Sequence, residues 1–162
     1  MKIKVSLNTQ SIDAAIKQLN EYNKQLDKKV DMLARRLAEM GAINVSIGFS
    51  RAIYDGNNDF DVSVEGENGK YNIIVAGESV LFVEFGAGVT YGYGHPEADK
   101  HGMGPGTYPD GKGHWNNPSG WWIPKSKGGG HTYGNPPNMP VYNTAKDLRN
   151  EVERVAMEVF QS

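Results

Sequence analysis

The chain has 162 residues, of which 38% are apolar and 22% charged, a size and composition that fit one domain with its own hydrophobic core. A formal net charge of -2 supplies no basic face for nucleic acid. The absence of cysteine excludes disulfide frameworks, thiol catalysis and cysteine-ligated zinc.

The first residues mix lysines with apolar side chains and lack the apolar stretch of a signal peptide, and no run reaches the ~18 apolar residues that mark a membrane span. A soluble protein that begins in the cytoplasm is the expectation. Ile3, Val5 and Leu7 alternate with polar residues, which predicts a short strand over 2–7. Ser11 then fits the N-cap of a helix over 11–42. Its apolar stripe is Ile12, Ile16, Leu19, Leu26, Val30, Leu33, Leu37 and Met40. Such a helix is roughly 45 Å long, more than a core of this size needs. The C-terminal helix and sheet are expected to cover the stripe, or a neighbouring subunit its first turns. Lys17, Lys24, Lys28, Lys29, Arg35 and Arg36 form its solvated face.

Val45, Ile47 and Phe49 suit either a strand or the end of that helix. Alternation in Phe60–Glu65, the Asn68-Gly69 turn and the answering run Tyr71–Ala76 predict a β-hairpin over 60–76. Ser79 can cap a short helix over 79–86, with Phe82 and Phe85 pointing inward and Gly86 as its stop. From Gly86 to Gly134 the chain holds fourteen of its 20 glycines, all 4 histidines and all 3 tryptophans. That span reads as a long glycine- and aromatic-rich loop, in which Trp121–Pro124 forms a short strand or a folded-back patch. Val141, Ala145, Leu148, Val152, Val155 and Val159 predict a closing helix over 138–160, with Asn138 as cap and Pro140 in the first turn. The fold class is α+β: a long N-terminal and a C-terminal helix on a small, mainly antiparallel sheet, in a single domain over 1–162.

Candidate chemistry is sparse. His95, Glu97 and His101 contain ligand atoms, but His95, His101, His114 and His131 lack helical ligand spacing and sit on loop; they read as solvent-facing side chains, one or two packing on tryptophan. The segment Gly106–Lys112 matches the glycine and lysine positions of a phosphate loop. Gly113 stands where that loop needs a hydroxyl, and Pro109 removes a donor. Glu84 has no second carboxylate to form a catalytic pair, and no serine lies in a nucleophile elbow. No catalytic residue, metal or cofactor is assigned. Exposed aromatic residues favour a protein interface over sugar or nucleic acid, so Phe82, Glu84, Phe85, Trp115, Trp121 and Trp122 are the interface candidates.

Two stretches, Leu81-Phe-Val-Glu-Phe-Gly-Ala-Gly88 and His131 to Arg149 with its Asn-Pro-Pro-Asn-Met-Pro-Val-Tyr-Asn-Thr core, together resemble the HK97 gp10-like family of tailed-phage and prophage proteins. The matching positions are Val83, Glu84, Phe85, Gly86 and Gly88, then Tyr142, Asn143 and Thr144. The chain departs from the pattern at Ala87, where Thr is common, and lacks an Asp-Thr-Gly turn around 44–50. The resemblance implies a structural protein of the phage neck, for head-tail joining or tail completion. It would assemble as a ring of identical subunits and contact the connector or head-completion protein and the tail-tube or tail-terminator protein. Its place would be the host cytoplasm during assembly and then the virion neck, without specific nucleic acid or membrane. A loop-based metal-dependent hydrolase and a carbohydrate-binding module are the competing readings.

Overall fold

The apolar side chains from Ile12 to Met40 recur at steps of three, four or seven, which lines them along one face of a continuous helix, and α1 runs Thr9–Ser50 without a break. A computed structural model describes residues 3–4, 6–91, 93–103 and 117–161 of the chain. At 42 residues α1 is roughly 63 Å long. Its N-cap is Asn8, whose Oδ1 accepts the Ser11 N–H at 2.8 Å. The cap expected at Ser11 therefore lies three residues earlier, and Ser11 Oγ instead accepts the Ser6 N–H. Of the strand expected over 2–7, the described residues Ile3, Lys4, Ser6 and Leu7 carry no strand pairing, and the others lie outside the described residues.

Residues 43–50 belong to α1. Val45 and Phe49, four apart, are buried on one face while Ile47 is exposed, so the helical period prevails over the alternating one. The hairpin forms as β1 (Asp61–Glu67) and β2 (Lys70–Ala76), antiparallel, with Val62 opposite Val75 and Val64 opposite Ile73. Asn68 at φ 54° and Gly69 at φ 78° make its two-residue turn. That turn is tied to α1, because Asp31 Oδ1 accepts the Gly69 N–H at 2.8 Å.

The closing helix α4 (Pro140–Gln161) packs antiparallel along the second half of α1. Lys29 Nζ reaches the Phe160 carbonyl at one end, and Gly48 lies under Pro140 at the other. Gly41 faces both elements: a Cβ there would meet the side-chain tips of Ile73 and, at 2.8 Å, Leu148, so the hairpin and α4 both pack over this point of α1. Val45, Phe49 and Val83 form the core centre, ringed by Tyr54, Phe60, Val62, Ile73, Val75 and Val80. Each of the three is at most 2% exposed and stabilises the fold by roughly 1.5–3 kcal/mol.

The segment over 86–134 carries more structure than a loop. It contains α3 (Gly88–Tyr91), a 3-10 turn at Asp99–His101, and an antiparallel pair of β3 (Trp121–Ile123) and β4 (Gly130–Thr132). The fold is α+β, with two separate two-stranded sheets among the described residues. The phosphate-loop look-alike at 106–113, His114 and Trp115 lie outside the described residues. Among the described residues no helix is long and apolar enough to cross a membrane.

Candidate functional site

Helix α2 (Val80–Phe85) is one and a half turns long and is held at both ends by distant groups. At its start Ser79 makes no side-chain cap to the helix. Its Oγ donates to the Asp59 carbonyl at 2.9 Å, while the Asp59 carboxylate accepts the Ser79 N–H at 3.3 Å. At its end Gly86 takes φ 79°, and a Cβ there would stand 2.8 Å from the Pro137 nitrogen and 2.9 Å from the Asn135 carbonyl. Glycine is required twice over, for the left-handed φ and for the contact with the returning chain.

That returning chain is 131–149, which docks on 81–88 through backbone and side chain together. Ala87 and Asn135 exchange both N–H···O bonds, at 2.9 and 3.1 Å. The buried Asn135 amide donates to the Phe82 carbonyl at 2.9 Å, and the Asn138 N–H to that of Val83 at 2.9 Å. Asn138 is not the cap of α4. Its side chain clasps Ile53, accepting that residue's N–H at 2.8 Å and donating to its carbonyl at 3.1 Å.

The cap of α4 comes from Glu84. Oε2 accepts the Val141 N–H at 2.8 Å and Oε1 the Tyr142 N–H at 2.9 Å, so one carboxylate satisfies two of the donors that a helix start leaves open and faces the positive end of the helix. Oε1 also lies 3.2 Å from Nε2 of His95. The other ring nitrogen, Nδ1, accepts the Glu97 N–H at 3.1 Å. An acceptor cannot carry the proton, so the neutral ring holds it on Nε2 and donates to Glu84. His95 packs between Phe85 (4.4 Å between ring centres) and Tyr142 (5.4 Å) and is 9% exposed, which overturns its reading as a solvent-facing loop histidine. The Glu97 carboxylate accepts from Lys100 Nζ at 3.0 Å, and that ammonium holds the carboxyl below the usual carboxylate value.

Comparison with models of known protein families found no match, and comparisons with curated proteins and with solved structures found no significant one. What the chain offers is therefore its own geometry. Of the residues carrying the resemblance, Val83 is in the core, Glu84 is the buried cap, and Gly86 and Gly88 let the two stretches touch. Tyr142 supplies a capped N–H and a ring against His95, and Thr144 is 5% exposed, whereas the exposed Asn143 lends only an amide toward the Asn138 carbonyl.

The interface candidates separate by exposure. Glu84 is 6% exposed and works inside the subunit; Phe82 and Phe85 are half-buried, Phe82 against Tyr54 and Phe85 against His95 and His101. Trp121 is half-buried beside a cavity of about 350 Å³ whose walls include Tyr54, Phe82 and Ile123. Trp122 points the other way from the same strand and is 75% exposed. It meets the ring of His131 edge-on at 5.2 Å, and His131 meets Tyr133 at 4.9 Å, giving an exposed aromatic row across β3 and β4. Polar groups around the cavity are engaged within the chain: Asp55 accepts the Thr132 hydroxyl at 2.7 Å, and Lys127 pairs with Glu78, which raises the lysine's pKa. Among the described residues no three of His, Asp and Glu converge to hold a metal ion.

Sequence reasoning missed three partners: His95 for Glu84, Asn138 for Ile53 and Asp59 for the start of α2. None has a short-range signal, since their separations are 11, 85 and 20 residues.

Proposed function

We propose that the protein is a structural component of a tailed-phage or prophage neck, serving head-tail joining or tail completion by assembling as a ring between connector and tail. One observation carries this reading. The two stretches that resemble the HK97 gp10-like family meet as a single unit, with Glu84 of the first capping the helix that the second begins. A motif whose carboxylate is taken up by a helix cap sets the fold and leaves function to surfaces. The exposed row of Trp122, His131 and Tyr133 is the side-chain type that dominates protein interfaces.

In a ring each subunit presents one patch to a different patch on the next, and this row is the patch assigned here. The test is Trp122→Ala, with the fold followed by circular dichroism and incorporation into rings or phage particles by electron microscopy. Loss of assembly with the fold kept supports the reading. A parent protein found in no particle or ring sinks it.

The same aromatic row favours a second reading, a carbohydrate-binding surface on which sugar rings stack. A glycan array separates the two: saturable binding that Trp122→Ala removes would favour the sugar.

A further inference from the structure

The cavity of about 350 Å³ beside Trp121 is built by stretches far apart in the chain: residues 54–59, the start of α2 and the β3–β4 hairpin. Bonds across its walls join them. Thr132 Oγ1 donates to Asp55, the Asn57 N–H donates to the Lys127 carbonyl at 3.0 Å, and Lys127 pairs with Glu78. The lining is graded from inside to outside. Ala87, Thr132 and Asn135 are each 4% exposed, the rings of Tyr54, Phe82 and Trp121 are half-buried, and Asp55, Asp59 and Glu78 are exposed. A buried floor, aromatic walls and a charged rim have the form of a binding site, and the hydrogen-bonding groups decide for what.

The donors around the floor are already engaged. Both amide protons of Asn135 go to carbonyls, those of Phe82 at 2.9 Å and Pro136 at 3.1 Å, and the Thr132 hydroxyl goes to Asp55. Acceptors are left over. With Nδ2 fixed by two carbonyls, the other amide atom is the oxygen, and Asn135 Oδ1 accepts no hydrogen bond from the described residues. It is also not sealed in, since no sealed side-chain oxygen among the described residues lacks a partner. A carboxylate offers about four acceptor sites, of which the described residues fill one on Asp55 and two on Asp59. Among the described lining residues three carboxylates stand against one ammonium, Lys127, and that ammonium is paired.

An occupant that fits must donate, carry positive charge and lie against aromatic rings. A guanidinium does all three: it has only N–H donors, it is planar, and it sheds water more readily than an ammonium and stacks on aromatic faces. A sugar would ask the lining for donors as well as acceptors. At about 350 Å³ the space lies at the low end of the ~300–1,000 Å³ of ligand sites, room for one long side chain with the segment that carries it outside against the rim. We propose that the cavity receives the arginine side chain of a partner protein, with Asp55 and Asn135 Oδ1 as acceptors and the rings of Tyr54, Phe82 and Trp121 as walls. This goes beyond the neck reading and does not rest on it.

The probe is the capped tripeptide acetyl-Gly-Arg-Gly-amide, titrated into the full chain and followed by NMR. Saturable shifts centred on the Trp121 indole and the Asn135 amide are expected, with a Kd of ~1 mM or tighter that weakens as salt is raised. The citrulline tripeptide, of the same shape without the charge, and the lysine tripeptide should each bind at least about fivefold more weakly. Asp55→Asn keeps an acceptor for Thr132 while removing a charge, and should weaken the arginine probe about tenfold. Lys127→Gln leaves Glu78 without its cation and should tighten it about twofold. Charge complementarity requires these opposite signs, which a loosened cavity wall does not give. Circular dichroism checks the fold of both variants, and the citrulline comparison, made on the unmodified protein, stands whether or not they fold. No saturable shift up to ~10 mM probe, equal affinity for the arginine and citrulline peptides, tighter binding of free L-arginine than of the tripeptide, or tighter binding of N-acetylglucosamine at the same residues would each overturn the proposal. Because a neck ring is read by microscopy of particles and this site by titration of free protein, either can fail without the other.

Discussion

Nε2 of His95 stands 3.2 Å from Oε1 of Glu84, and both side chains are shut from water, with 3% and 8% of their surfaces exposed. The carboxylate is the acceptor for three separate donors, two of them backbone N–H groups of α4. Glu84→Ala strands all three. At about 1–3 kcal/mol for a buried donor left without a partner, a loss of about 3 kcal/mol in folding stability is expected, read as a lower urea midpoint. Glu84→Gln keeps an acceptor for the helix start and should lose only about 1 kcal/mol. An alanine variant as stable as the parent would remove Glu84 from its place as cap.

Gly86 carries both a left-handed φ and a backbone contact that leaves no room for Cβ. Gly86→Ala is expected to cost about 1–3 kcal/mol and to open the Ala87–Asn135 bridge. Faster hydrogen exchange at those two amides, with α1 unchanged, is the signature to look for. Uniform loosening of the whole chain would point instead to general destabilisation.

The hydroxyl of Tyr71 donates to Asp31 Oδ1 at 3.0 Å, pinning the hairpin to α1. Burial, then this hydrogen bond, raise its pKa above the ordinary 10.0. A raised acid favours its protonated form in the folded state. Its contribution is therefore complete below pH 10.0 and disappears as pH climbs through the higher folded value. Denaturation curves taken from pH 8 to pH 11.5 should show an alkaline loss of stability that is smaller in Tyr71→Phe. The same slope in both proteins would refute the assignment.

Trp122 shows 75% of its surface to solvent. Trp122→Ala is expected to leave folding stability within about 0.5 kcal/mol, whereas Trp121→Ala, beside the cavity, should destabilise by more than 1 kcal/mol. Thermal melts of the two single variants give the comparison, and similar losses would mean that Trp122 is also held by the fold.

What could be read from the residues followed the reach of the forces involved. The hairpin was legible because alternation and the Asn68-Gly69 turn are local, and so were the long helix and the closing helix from their apolar periods. The end of α1 was ambiguous because Val45, Ile47 and Phe49 satisfy a period of two and, through 45 and 49, a helical one. Only the core that receives Val45 and Phe49 decides. The caps were misassigned where two candidates competed. Asn8 and Ser11 both suit a helix start, and Asn138 looked adequate beside α4 until Glu84, more than fifty residues away, filled the position. Elements of three or four residues, such as β3 and β4, are too short to show a period at all.

The Ala87–Asn135 bridge brings the chain back to the point from which it left, so the residues between them form an excursion closed at its neck. Closing such an excursion costs free energy that grows only with the logarithm of its length, about 0.6 kcal/mol for each doubling. The framework of α1, the first hairpin, α2 and α4 is thereby largely indifferent to added length in the intervening segment, provided that His95 keeps its place on Glu84 and Thr132 its place on Asp55. Relatives built on this frame would be free to diverge most in that segment, and it is the natural port for an inserted epitope or fluorescent reporter.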